Sequence, residues 1–73
     1  MTKQEFIHAI EQGAVLPVDS TRFSFPELVR MARAAYEHDF TLEIQNSSSL
    51  NMTQITQLGS NAPGHVAFPD IKF

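Results

Sequence analysis

The side chains here that could do chemistry are three histidines and two short runs of hydroxyl, amide and charged residues; there is no cysteine. His8, His38 and His65 are scattered along the chain without the i, i+4 or similar spacing that makes metal ligands converge. Thiolate metal sites and disulfides are excluded outright. Nothing in the order of residues places a histidine beside a serine and an acid, and three glycines supply no phosphate-cradling loop. The expectation is therefore no enzyme, no metal and no cofactor. His38, at the end of a helical pattern, reads as a cation-capable side chain beside unsatisfied helix carbonyls.

The two polar runs are Asp19-Ser20-Thr21-Arg22 and Asn46-Ser47-Ser48-Ser49. Each follows an apolar, strand-like stretch, so in a parallel sheet both lie at the carboxyl ends of strands, where open α/β sheets bind ligands. Asp19, Ser20, Arg22, Asn46, Ser47 and Ser48 are the candidate ligand-binding residues. The same residue types also build turns, with side chains bonded to nearby backbone.

The elements that must position these runs begin with a signature that occurs three times, at Thr2/Glu5, Ser24/Glu27 and Asn51/Gln54. Each is a capping box, in which the cap oxygen accepts from the amide three residues on while the acid or amide reaches back. Staple pairs flank them: Met1 with Phe6, Phe23 with Leu28, Leu50 with Ile55. The first helix carries Phe6, Ile7 and Ile10 on one stripe and stops near Gly13. The second has Pro26 in its first turn and Leu28, Met31, Ala32 and Ala35 on one face. The third uses Ile55 and Leu58 and stops near Gly59, Pro63 and Gly64. Strand-like stretches follow at Val15 to Val18, Phe40 to Ile44 and His65 to Phe68.

The predicted fold is α/β: three helix-strand units (α-β-α-β-α-β) forming a small, mostly parallel three-stranded sheet with helices packed on it, one domain over residues 1–73. The boxes stand 22 and then 27 residues apart, so the chain also reads as three imperfect repeats. In that respect it resembles a miniature leucine-rich-repeat solenoid, with Asn46 two residues after Ile44 where the family pattern puts asparagine three after. Asp19-Ser20-Thr21, ahead of an amphipathic helix and an apolar strand, is similar to the Asp-Ser-Ser/Thr loop of STAS domains, regulatory modules phosphorylated on a serine of that loop. The likeness runs from about Val15 to Phe68 and implies Ser20 as the modified residue. The N-terminal strands of that family are missing, and Arg22-Phe23 stand where a glycine and an aliphatic residue are usual.

Composition narrows the partners. The chain is 42% hydrophobic and 18% charged, enough for a packed interior in its 73 residues. A net charge of -3 makes neither nucleic acid nor an anionic membrane an expected partner, and the six phenylalanines lack the basic groove of a single-strand binder. Without a signal-peptide pattern or a run of about 20 apolar residues, a cytoplasmic location is expected. A three-stranded sheet leaves two open edges, and the end of the chain stays apolar. The expected role is a protein-interaction module, a homo-oligomer with Phe68, Ile71 and Phe73 at the interface.

Overall fold

The computed structural model describes residues 2–71. Three helices alternate with three strands: α1 (Lys3–Glu11), β1 (Val18–Asp19), α2 (Phe25–His38), β2 (Leu42–Gln45), α3 (Met52–Asn61) and β3 (Val66–Ala67). The strands form one parallel sheet in the order β1-β2-β3, an open α/β arrangement as the sequence predicts. Val18 lies opposite Ile44 and Leu42 opposite Val66.

All three capping boxes form as read, with both reciprocal bonds present at Thr2/Glu5, Ser24/Glu27 and Asn51/Gln54. The helices end by different devices. Gly13, at a φ of 101°, closes α1, and the amide of Ala14 reaches the Ala9 carbonyl. A non-glycine residue, Asp39 (φ 59°), takes the left-handed position after α2, and the Phe40 amide bonds Ala35 O at 3.0 Å. α3 runs through Gly59 and stops two residues beyond it at Asn61. The stop belongs to Pro63, which disfavours helical backbone in the residue before it; Ala62 is extended at φ -141°.

The strands are shorter than the apolar runs suggested. β1 begins at Val18 because Pro17 has no amide to give a ladder, and Val15, 67% exposed, stays outside the sheet. β2 is displaced toward its carboxyl end by the turn at Asp39 and Phe40. β3 holds only Val66 and Ala67 before Phe68-Pro69. Two 3₁₀ turns, Ser20–Arg22 and Ser47–Ser49, join β1 to α2 and β2 to α3; the sequence patterns did not disclose them.

Along β2 burial alternates: Leu42 and Ile44 are shielded, Glu43 and Gln45 are exposed. One face of the sheet is therefore covered by the helical layer and the other is open. The core between them is Ile7, Ile10, Val18, Leu28, Met31, Ala32, Ala35, Leu42, Ile44, Leu58 and Ala62. Phe23, Phe25, Phe40 and Phe68 close its rim.

Candidate functional site

The polar runs do converge at the carboxyl ends of β1 and β2, but their side chains are largely spent on one another. Ser20, 4% exposed, donates from its hydroxyl to the Asn46 carbonyl at 2.7 Å. Ser49 donates to the same carbonyl at 3.3 Å. Ser47 is fully buried and donates to the Ile44 carbonyl at 3.1 Å. These hydroxyls stitch the first 3₁₀ turn to the second, so a kinase would meet Ser20 already bonded inside the fold. Ser48 is exposed on the second turn.

Asn46 links all three strand ends. Its left-handed backbone (φ 57°) exposes an amide that binds the Asp70 carboxylate beyond β3. Asp19, on the other side, accepts from the Thr21 hydroxyl at 2.6 Å and the Thr21 amide at 3.0 Å. The Thr21 hydroxyl, followed by the Asn46 side chain, holds the Asp19 carboxyl below its ordinary range.

Helix N-termini at this end of a parallel sheet are the usual anion sites. Here they are occupied from within: Glu27 Oε1 accepts from the Ser24 amide at 2.7 Å and Gln54 from the Asn51 amide at 3.0 Å. The Ser24 amide accordingly keeps Glu27 below its ordinary carboxyl range. The boxes that start the helices thus satisfy two amides at each start, the cap's own and that of the third residue on.

A shallow cleft of about 610 Å³ lies beside β1, lined by Thr2, Lys3, Phe6, Pro17, Asp19, Arg22 and Phe23. Its floor is the tilted Phe6–Phe23 pair, 5.4 Å between ring centroids. Of the six candidate ligand residues it gathers Asp19 and Arg22 only, and Lys3 at its wall is paired with Glu27 at 3.2 Å.

Two of the three histidines take structural bonds. His38 Nε2 lies 2.9 Å from the carbonyl of Glu11, so it caps α1, the neighbouring helix, and not the end of its own. His65 joins Asp39 at 2.8 Å. His8 is exposed on α1. Among the described residues no three His, Cys, Asp or Glu side chains are grouped to hold a metal ion, and no helix is long and apolar enough to cross a membrane.

The tail follows its own sheet. Phe68 is half-buried against the core, Asp70 is bonded to Asn46, and the Ile71 amide reaches the Phe68 carbonyl at 3.1 Å. Phe73, the last expected interface residue, lies outside the described residues. Sequence reading missed the His65–Asp39 and Asp70–Asn46 pairs. Each joins residues more than twenty positions apart, and the signal that would have found them is the strand register, which sets position 41 beside 65 and 46 beside 70.

Comparison with known proteins returned nothing: no family model matches the chain, and neither a curated protein nor a solved structure is similar to it.

Proposed function

We propose that this chain is a non-enzymatic protein-interaction module that meets its partner, a second copy or another protein, on the uncovered face of the sheet. The observation that carries this reading is a parallel sheet with helices on one side only, its central strand presenting Glu43 and Gln45 to water. Parallel sheets are nearly always covered on both faces, so an open one offers a ready-made layer position. Thr41, Glu43 and Gln45 make the middle of that face polar, which suits a reversible, hydrogen-bonded contact over a permanent greasy one.

The open edges are poorer candidates. β1 and β3 are two residues each and are bounded by Pro17 and by Phe68-Pro69, devices that blunt strand addition. The non-enzymatic reading is supported by the hydroxyls of Ser20, Thr21, Ser47 and Ser49, each bonded to a carbonyl or a carboxylate.

Light scattering on the full chain across micromolar concentrations tests self-association, with Glu43→Arg as the face variant. The expected result is a mass above the monomer that the variant returns to the monomer. If the wild type is monomeric, a pull-down from the native host with both baits is expected to retain a protein that Glu43→Arg loses. Absence of any Glu43-dependent partner in both experiments overturns the proposal.

A further inference from the structure

We propose that His65 is a proton-operated latch: as an imidazolium it ties the entry of β3 to the residue that ends α2, and loss of its proton frees that end of the sheet. The ring stands between two acceptors. Its Nδ1 lies 2.9 Å from the carbonyl of Pro63 and its Nε2 lies 2.8 Å from Oδ1 of Asp39. A carbonyl and a carboxylate can only accept, so both ring nitrogens must donate, and only the protonated ring has two N–H groups. In either neutral tautomer one lone pair faces an acceptor at bonding distance, and that contact turns from attraction to repulsion.

Among the described residues, the charge acting on the ring is that of Asp39. From α2 the groups that face the ring are the Asp39 carboxylate and Tyr36, whose ring meets it edge-on at 5.3 Å. From the turn before β3 it is the Pro63 carbonyl, and the residue just before β2 is Thr41, which does not titrate. The hydrogen bond to Asp39, then that to Pro63, raises the histidine above its ordinary value. The ring is 23% exposed and Asp39 91%, so protons and buffer reach the pair freely.

What the latch holds is short. The Leu42 amide bonds the His65 carbonyl at 2.8 Å and the His65 amide bonds Ala62 O at 2.9 Å, and β3 adds only two paired residues beyond. Because the raised value belongs to the folded state, the contribution is complete at pH below the histidine's unfolded value. It is lost as pH rises through the folded one. The inference is independent of the proposed binding face, and its test reads the chain alone.

NMR titration of the full chain, with amide exchange measured at Leu42 and His65 against Met31 in α2 as internal reference, tests the latch. The His65 ring is expected to titrate above its own value in the urea-unfolded chain. The two amides are expected to lose protection relative to Met31 through the same pH interval. In Asp39→Asn, which retains an acceptor and tolerates the left-handed turn, the midpoint is expected to fall toward the unfolded-chain value, with the α2 amides unchanged. A His65 midpoint at or below its unfolded-chain value, or Leu42 protection that follows Met31 at every pH, overturns the proposal.

Discussion

On one flank of β2, α1 and α2 meet through Ile7, Ile10, Leu28, Met31, Ala32 and Ala35, all shielded from water. On the other flank α3 sends Leu58 inward, with Ala62 just past its end, and turns Thr53, Thr56, Gln57, Ser60 and Asn61 outward. β3 is only half-buried there, and its ends are fixed by His65 on Asp39 and Asp70 on Asn46. One side is held by non-directional burial and the other by a few directed bonds. A small domain with a limited core can still order a third unit this way, but that unit should open first and should answer to different conditions.

Leu28→Ala is the strongest probe of the greasy flank. It should cost about 3 kcal/mol, which at roughly 6 °C per kcal/mol lowers the melting midpoint by about 18 °C in calorimetry. Next comes Ser20→Asp, which forces a charge among bonded, buried atoms between the first two strands. We expect a loss of about 2 to 3 kcal/mol and a lowered melting midpoint by circular dichroism; a Ser20→Asp protein that melts like the wild type would reopen the phosphoserine reading. Leu58→Ala should cost about 2 kcal/mol and, in amide exchange, deprotect α3 and β3 before α1 and α2. If the α1 and α2 amides exchange in step with them, the two flanks are one cooperative unit and the contrast is broken.

Smaller effects sharpen the comparison. Ser24→Ala and Asn51→Ala each remove one cap, worth about 1 kcal/mol. The first should lower the global melting midpoint, and the second should appear mainly as faster exchange in α3. pH separates the flanks by sign. Glu5 and Glu27 are held below their ordinary range, chiefly by the backbone amides they cap. Their contribution is present above the unfolded carboxyl value and lost as pH falls through the folded one. Acid should therefore loosen the starts of α1 and α2, while α3, boxed by neutral Gln54, is indifferent. Exchange maps at acid and neutral pH check this.

Local chemistry was legible in the sequence. The capping boxes involve residues three apart, and all three helices begin where those boxes place them. Helix and strand order followed from the same periodicities. Strand lengths were overestimated because apolar content at Val15 and Phe40 says nothing of ladder bonds, which Pro17 and the turn at Asp39 forbid. The polar loops were placed at the correct end of the sheet, yet whether Ser20 faces solvent or Asn46 depends on how two distant turns stack. Contacts such as His65 with Asp39 exist only once register is fixed, and no pattern within either segment encodes it.

The strand order β1-β2-β3 has a kinetic corollary. Helices and strands make their main contacts with the next of their kind along the chain, α1 with α2, α2 with α3, β1 with β2 and β2 with β3. No segment has to be inserted between two others already in place, so each sheet pairing closes one crossover of 24 to 26 residues and assembly can spread outward from the middle unit. Such a mixed α/β topology folds at a pace between the fast helical bundles and the slow all-β sandwiches, because each parallel pairing must first close its crossover loop.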